Sequence, residues 1–499
     1  PEILVSASRY QWDEGLVRLR HDIAATIRSL NLGHTPLITA LMTGQRGGIA
    51  EADWDAMRHS GLAHMLAISG LHVGLIAGVI FFFARLIMAA FPAIALHWPI
   101  KKIAAGLAIA GAFMYMLIVG STVPTQRACL MTGLFMLAII LDRTPISLRL
   151  VAFAALVVLA IAPESLLSAS FQMSFSAVTA LVLFYDATRA WWRQAFSNSG
   201  VAGKAWLYLL GVSATSVVAT AATAPFAIYH FQHTALYGVF ANLLAVPIMS
   251  FLVMPMAVIG YIFMGFDAAF APLWLMDSGI HAILQIAHGF AELPGAYARL
   301  QAWPGMALVM LVSAAFTYII CTGRIRIFAL IPAVTGCITI AGYSPPRILV
   351  SEDAGLVMIR NWQDQGDLLA TTKAQSYTRK QWLSRLGYAE STQQLRVIGQ
   401  SGEPRNPACD RQGCRLRLDG QNVALSFRPY GVQADCRWAD LIIARDPVED
   451  AGCPAQQVVD RFDVWAGGAH SIRISKAGIK MTNVAQSRGQ RPWTSTENR

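Results

Sequence analysis

Apolar runs separated by short polar gaps fill residues 62–342, and this pattern constrains the fold more than any other feature. A spanning helix needs about 20 apolar residues, because its backbone N–H and C=O groups must all pair within the hydrocarbon. We predict a polytopic α-helical membrane domain of about ten spans, some of them broken or re-entrant. The predicted spans are residues 62–90, 103–119, 124–141, 148–162, 172–185, 206–228, 237–264, 268–291, 304–321 and 326–342.

The composition separates this membrane domain from the C-terminal third of the chain. Only 14% of all residues are charged and 55% are apolar, whereas soluble domains are about a quarter charged. Residues 345–485 read instead as a β-rich, α+β soluble domain, with the hairpin "CRLRLDGQNVALSFRP" turning at Asp419-Gly420. Residues 486–499 are polar, and we predict a disordered tail there.

The segment before the first span, residues 1–61, is called the lead-in here. It starts at Pro1 without a signal peptide, so we expect a fragment whose N-terminus lies upstream. Residues 16–30 have the apolar spacing of an amphipathic helix, which either lies on the membrane surface or packs on a soluble domain. A second short helix is predicted to end at Gly61.

The basic residues of the polar gaps are strongly biased to one side of the membrane. With ten spans, nine Lys and Arg residues fall in one set of alternate gaps and two fall in the other. The nine are Lys101, Lys102, Arg143, Arg149, Arg189, Arg193, Lys204, Arg324 and Arg326, and the two are Arg127 and Arg299. Because basic loops stay in the cytoplasm, we predict that the lead-in and residues 345–499 lie in the periplasm.

Four cysteines lie close together in the predicted soluble domain: Cys409, Cys414, Cys436 and Cys453. In an oxidising compartment, this density indicates two disulfides, for which Cys409–Cys414 and Cys436–Cys453 is the simplest of three pairings. A zinc site is the alternative, although C-x2-C spacing is absent and His470 is the only nearby histidine.

The stretch "HMLAISGLHVGLIAG" places polar residues where lipid is expected: His64, Ser69 and His72. Polar groups in a span should face a bundle interior or a water-filled cavity, so they either line a polar path or bond a neighbouring helix. A glycine stripe on another face of the same helix should let a second helix approach closely. The stripe consists of Gly70, Gly74 and Gly78.

Further polar and aromatic residues lie in or beside later spans. Arg127 suits an anion, or it reaches the interface by snorkelling. Tyr229 and Phe231 belong either to an interfacial aromatic belt or to a surface that stacks on bases. Asp277 and His281 are four residues apart on one helical face, which predicts a buried pair. The remaining path candidates are Gln172 and Asn242.

The sequence lacks the motifs of several enzyme classes. It contains no Walker A motif, no dinucleotide-binding glycine pattern, no HExxH and no G-x-S-x-G. We therefore expect neither an ATPase nor a bound cofactor, and any transport must use a partner or a gradient.

Taken together, the motifs resemble one known family. "GLAHMLAISGLHVGLIAG", its upstream "ALMTGQRGGIAEADWDAMRHSG", "GSTVPTQRACLMTG", "SASFQMSFSAV" and "FANLLAVPIMSFLVMP" are similar, in order, to segments of the ComEC competence proteins. This resemblance implies an inner-membrane channel that passes single-stranded DNA into the cytoplasm during transformation. It also implies that residues 1–12 are the last strand of an oligonucleotide-binding barrel, and that residues 345–485 are a metallo-β-lactamase-like domain.

The resemblance also implies partners: a periplasmic DNA receptor, a cytoplasmic helicase or strand-binding protein, and membrane lipid, with a homo-oligomer left open. The chain departs from the family's hydrolytic members, whose lactamase-like domains carry an HxHxDH cluster. Beyond residue 345 it has only His470, so we expect a degenerate domain without a metal site or enzyme activity. The alternative function is a channel or transporter for a small solute.

Overall fold

The computed structural model comprises two compact units, residues 1–298 and 299–499. The residues that it describes are 7–66, 68–144, 146–360, 368–371, 376–388, 396–398, 412–448, 453, 455, 457–475 and 478–489.

The first unit is almost entirely helical. Its helices are α1 (Ala7–Ser29), α2 (Thr35–Thr43), α3 (Glu51–His59), α4 (Gly70–Ala89), α5 (Pro92–His97), α6 (Ile100–Val119), α7 (Val123–Ile140), α8 (Leu148–Ile161), α9 (Ala169–Ser197), α10 (Val201–Phe231), α11 (Gly238–Ile248), α12 (Met254–Met264) and α13 (Phe270–Ala291). Short strands β1 (His233–Ala235) and β2 (Tyr297–Arg299) pair in a two-stranded ribbon.

Every apolar run predicted from the sequence contains a helix, including α14 (Gly305–Ile320) and α15 (Leu330–Ala341) in the second unit. Six helices of the described chain are long and apolar enough to cross a membrane, so the count of about ten is not confirmed. The six are Gly70–Ala89, Ile100–Val119, Val123–Ile140, Val201–Phe231, Gly238–Met264 and Gly323–Ala341. The run at 237–264 is continuously helical, because a π-helical segment at Met249–Val253 joins α11 to α12.

The lead-in folds onto the bundle, and one of its helices, α2, was not predicted. Residues 37–43 of α2 are all buried. Tyr115 Oη of α6 donates to Leu41 O at 2.8 Å, and Tyr261 Oη of α12 donates to Met42 O. These hydroxyls satisfy carbonyls that the last turn of a helix leaves unpaired. A nine-residue helix is shorter than a span, so the length of its apolar run does not predict it.

The first helix is longer than predicted and packs on protein. Its buried face carries Ile23 and Ile27, which belong to the main hydrophobic core of the bundle, while Arg20 Nη2 donates to Leu117 O at 2.8 Å. The expectation of a barrel strand at residues 1–12 is wrong for residues 7–12, which are helical; residues 1–6 lie outside the described part. The second short helix ends near Gly61, as predicted.

Contacts between the gaps agree with the two sets that the basic residues defined. Lys102 Nζ, at the start of α6, lies 2.6 Å from Asp142 Oδ2, after α7. At the other end of α6, Gly44 approaches Val119 O so closely that a Cβ would lie 2.1 Å from this oxygen. Because α6 is 20 residues long, these two ends are about 30 Å apart. We call the end at Val119 the lead-in end.

The second unit ends in a β-rich domain, whose strands are β3 (Ile348–Val350), β4 (Leu356–Ile359), β5 (Leu368–Thr371), β6 (Arg396–Ile398), β7 (Gly413–Leu418), β8 (Gln421–Ser426), β9 (Leu441–Ala444), β10 (Gln457–Val459), β11 (His470–Ser475) and β12 (Gly478–Asn483). They form one sheet of order β12-β11-β3-β4-β5-β6 and another of order β10-β9-β8-β7. Alternating residues such as Leu416 and Leu418 are buried in a core that both sheets share.

Four short helices complete this domain: α16 (Ser376–Leu386), α17 (Pro429–Cys436), α18 (Arg461–Gly467) and α19 (Val484–Arg488). The predicted hairpin is formed by β7 and β8, and its turn residues Asp419 and Gly420 both have positive φ, as a type I′ turn requires. The tail prediction is wrong for residues 486–488, which are helical; residues 490–499 lie outside the described part.

The cysteine prediction is confirmed for one pair. Cys436 and Cys453 form a disulfide. Cys414 is also disulfide-bonded, whereas Cys409 lies outside the described residues. The pairing of Cys436 with Cys453 excludes the zinc alternative for these two thiols, because a thiol oxidised to a disulfide is no longer a thiolate ligand.

Candidate functional site

The start of α4 brings Ser69 and His72 together. Ser69 is the N-cap, and its backbone N–H donates to His72 Nδ1 at 3.3 Å, with Ser69 Oγ also 3.3 Å from this nitrogen. The pair therefore bonds within the start of α4, and the Met65 backbone of the preceding 3-10 turn also interacts with the His72 ring. Since Nδ1 accepts a hydrogen bond, a neutral His72 carries its proton on Nε2. That Nε2 is buried without a partner.

His72 is completely buried, which makes its unpaired nitrogen costly, about 1–3 kcal/mol for a desolvated donor. His64 and, more weakly, Arg46 in the loop after α2 lie within electrostatic range of the same ring. A helix start that combines a buried donor with a nearby guanidinium favours anions.

His64 lies one turn before α4, in a 3-10 turn at Ala63–Met65. Its Nδ1 is 3.1 Å from Gly61 O, and its side chain is exposed. The surrounding protein nevertheless lowers the pKa of His64 by desolvation, an effect that the Gly61 hydrogen bond partly offsets.

The prediction for the glycine stripe on α4 is wrong. A Cβ added at any of the three positions would meet open space: Gly70, Gly74 and Gly78. The helix instead packs through Val73, Ile76 and Ala77, which are buried. The glycine that admits a close approach is Gly111 of α6, where a Cβ would lie 2.2 Å from Ile80 Cδ1.

Arg127 lies in the second turn of α7, with only 6% of its surface exposed. Its Nη2 donates to Ser170 Oγ of α9 at 2.6 Å, and its Nη1 is buried without a partner. Because the side chain is buried in protein, it does not snorkel to the interface, which was the alternative that the sequence left open. The guanidinium instead holds one neutral partner and one unused donor inside the protein.

Two further path candidates differ in how they are satisfied. Gln172 Nε2 donates to Leu166 O at 3.0 Å, and its Oε1 lies 2.8 Å from His230 Nε2. This pair braces α9 against α10. Asn242 of α11, by contrast, has its Oδ1 buried without a hydrogen-bond partner.

The side chain of a third residue, His34, lies between those of Asp277 and His281. Asp277 Oδ1 accepts from the backbone N–H of His34 at 2.7 Å and lies 3.2 Å from His34 Nδ1. On the other side of the ring, His34 Nε2 lies 3.5 Å from His281 Nδ1. The expected buried pair is therefore wrong, because His281 is exposed and both residues contact His34 from the lead-in. One helical turn was visible in the sequence, but its long-range partner was not.

The aromatic candidates Tyr229 and Phe231 lie in the last turn of α10. The Tyr229 ring meets the His230 ring edge-on at a centroid distance of 4.9 Å. Phe231 is 45% exposed and contacts His230 and His233.

Sequence reasoning missed Ser170, His34 and Arg46 as members of the site. Ser170 lies in the quoted motif "SASFQMSFSAV", two residues before Gln172. That proximity was the available signal. Neither His34 nor Arg46 has a pattern of its own. In the described part of the second unit, no group of three or more His, Cys, Asp or Glu residues could hold a metal; the absence of enzyme activity stays a prediction.

The fold and the site together define a polytopic membrane protein with incompletely satisfied polar side chains on apolar helices. The chain belongs to the Competence protein family, whose model matches residues 41–346. It is 26% identical over 256 residues to ComE operon protein 3 of Bacillus subtilis, an alignment that covers 51% of this chain and 30% of that protein.

Two further relatives are similar over comparable regions. Recombination protein 2 of Haemophilus influenzae is 32% identical, covering 44% of this chain and 27% of that protein. Competence protein ComA of Neisseria gonorrhoeae is 30% identical, covering 48% and 31%. The matched regions thus span less than a third of each relative's length. No solved structure matches the chain. The family confirms the resemblance read from the motifs.

Proposed function

We propose that the helical unit is a conduit that passes single-stranded DNA across the cytoplasmic membrane during transformation. One observation carries this proposal: three candidate residues on apolar helices keep a buried polar atom without a partner. They are His72 Nε2, Arg127 Nη1 and Asn242 Oδ1. Unsatisfied polar groups are costly in a membrane protein, so they mark places where a polar ligand or water completes the bonding.

The chemistry of these atoms suits a nucleic-acid strand. Arg127 offers a cationic donor and His72 a neutral donor, and both suit phosphate oxygens. Asn242 offers an acceptor, which suits the N–H groups of bases. A strand that carries one negative charge per nucleotide needs such groups along its way through about 30 Å of hydrocarbon.

The other polar candidates have a supporting role in this proposal. Gln172 and His230 hold α9 against α10, and His34 ties the lead-in to α13 through Asp277. The lead-in end faces the periplasm, where a DNA receptor delivers the strand. A cytoplasmic helicase or strand-binding protein draws it inward. The β-rich domain acts as a contact surface rather than as an enzyme.

Two substitutions of His72 test the conduit. His72→Asn keeps an acceptor near the position of Nδ1, so the Ser69 N–H retains its partner, but it deletes the Nε2 donor. His72→Leu deletes both. The variants are expressed in a naturally competent strain that lacks its own relative of this protein, and membrane abundance is measured with each.

The proposal expects His72→Asn to reach normal abundance while transformation falls about tenfold or more, since a hydrogen bond to a charged ligand contributes about 1.5–3 kcal/mol. Labelled duplex DNA should then accumulate outside the cytoplasm. Normal DNA uptake by His72→Asn at normal abundance would show that the histidine only caps α4. Normal uptake in the absence of the protein would favour the small-solute transporter.

A further inference from the structure

Six aromatic rings form a continuous row at the lead-in end of the first unit. In order of contact, they are His59, Tyr297, His233, Phe231, His230 and Tyr229. Their successive ring centroids are 4.3, 4.9, 6.0, 6.3 and 4.9 Å apart. We call this set the ring row.

The ring row is assembled from three distant segments and held by backbone bonds. His59 ends α3, Tyr297 and His233 belong to the β1–β2 ribbon, and the other three rings are in the last turn of α10. Leu236 N–H donates to Ala296 O at 3.0 Å beside the ribbon. Gln232 takes a left-handed conformation, φ 58°, which reverses the chain between Phe231 and His233.

A glycine lets the end of α3 join this frame. Gly61 has φ +79°, and a Cβ there would lie 3.0 Å from both Ala235 and Gly238. The rings are therefore placed by a fixed scaffold. A fixed scaffold suits a binding surface, because little conformational entropy is lost when a ligand arrives.

The composition of the ring row argues against a membrane anchor. Interfacial belts are rich in Trp and Tyr that sit separately at the headgroups, whereas three of these six rings are imidazoles and each ring contacts the next. The row also leads to the buried guanidinium: His230 bonds Gln172, and Ser170, two residues earlier on α9, bonds Arg127. The ring row and the Arg127 guanidinium are thus both hydrogen-bonded to α9, through residues on different faces of this helix.

We infer that the ring row is a stacking platform for unpaired bases of a single-stranded nucleic acid of any sequence. Every base has a π-face, so stacking on aromatic rings tolerates sequence variation. Duplex DNA keeps its bases stacked within the helix, so the platform selects single strands over duplexes. This inference rests on the proposed function and adds how the conduit recognises its substrate.

The test uses the chain in lipid nanodiscs and three fluorescent probes: oligo(dT), an abasic oligonucleotide of the same length, and the corresponding duplex. The abasic probe has the same phosphates but no bases. Phe231→Leu keeps an apolar side chain but removes the exposed ring, Phe231→Trp keeps a ring, and Phe266→Ala removes another exposed phenylalanine outside the row.

We expect the chain to prefer oligo(dT) to both other probes. Phe231→Leu should weaken oligo(dT) binding roughly 5- to 150-fold, the usual effect of losing one base stack, without changing abasic binding. Phe231→Trp should restore the affinity, and Phe266→Ala should leave it unchanged. Equal affinity of the unaltered chain for oligo(dT) and the abasic probe would overturn the inference, as would unchanged binding by Phe231→Leu.

The same assays separate this inference from the conduit itself. If His72→Asn blocks uptake in cells while Phe231→Leu binds oligo(dT) normally, the ring row is refuted and the conduit is supported. If Phe231→Leu loses base-dependent binding while His72→Asn takes up DNA normally, the platform is supported and the conduit role of His72 is refuted. A Phe231→Leu chain that loses only nanodisc incorporation would make the rings a lipid anchor, which refutes the platform.

Discussion

Replacing Arg127 by Met should separate stability from function. Met has a similar length and no charge, so the substitution removes the bond to Ser170 Oγ and the buried, unpartnered Nη1 together. The lost bond to a charged group is worth about 1.5–3 kcal/mol. Against this, no ion pair of the described residues neutralises Arg127, and an uncompensated buried charge costs several kcal/mol.

The loss of the Ser170 hydrogen bond and the relief of the buried charge therefore nearly cancel, or the relief is larger and the Met variant is the more stable. We therefore expect the free energy of unfolding of Arg127→Met to be unchanged or raised by about 1–4 kcal/mol, measured by thermal or denaturant unfolding in detergent. DNA uptake should fall about 10- to 100-fold, because phosphate loses a charged donor. Ser170→Ala should instead lower the free energy of unfolding by about 1–3 kcal/mol, because it leaves Arg127 Nη2 without a partner.

The matched control is Arg149→Met on the exposed surface of α8, which should alter neither quantity. An Arg127→Met protein that is destabilised by more than about 2 kcal/mol, yet takes up DNA normally per molecule, would refute the reasoning. Arg127 would then be a structural residue whose Ser170 bond outweighs its desolvation, and no anion would need to be invoked.

Two other predictions concern the lead-in. Gly44→Ala should lower the free energy of unfolding by about 2–5 kcal/mol, because φ is +79° and the new Cβ would lie 2.1 Å from Val119 O. The control is Gly47→Ala, because Gly47 has open space around it. Equal effects of the two substitutions would contradict the close approach. Desolvation by the surrounding protein lowers the pKa of His64, so the unfolded chain binds this proton more readily, and stability should fall as pH drops below 6.5 towards the folded-state pKa. The melting temperature of His64→Gln should depend less on pH across that window, and parallel pH profiles would show that His64 does not titrate there.

Local features of the fold could be predicted because each is written into a few adjacent residues. The apolar runs give helices, Asp419-Gly420 gives a hairpin, and the basic gaps fall into two sets that the contact between Lys102 and Asp142 supports. The pairing of Cys436 with Cys453 was the simplest of three that the sequence allowed, and the structure forms it. These outcomes depend on periodicity, turn geometry and charge, which tertiary contacts rarely override.

What surrounds each helix could not be predicted. A soluble helix marks its buried face by alternating polar and apolar residues, but a helix in lipid is apolar on both its protein-facing and its lipid-facing sides. The glycines of α4 therefore looked like a packing face, although the close approach is made by Gly111. The buried α2 was missed for the related reason that a nine-residue helix resembles neither a span nor a surface helix.

The sequence by itself determined that this is a membrane protein of the competence family, because the order of its motifs and the length of its apolar runs do not depend on which residues are in contact. Only the tertiary structure decided which polar atoms are satisfied. It paired Gln172 with His230, inserted His34 beside Asp277, and left His72 and Arg127 each with an unpaired nitrogen. Hydrogen bonding between residues far apart in the chain depends on helix packing, and no local pattern encodes it.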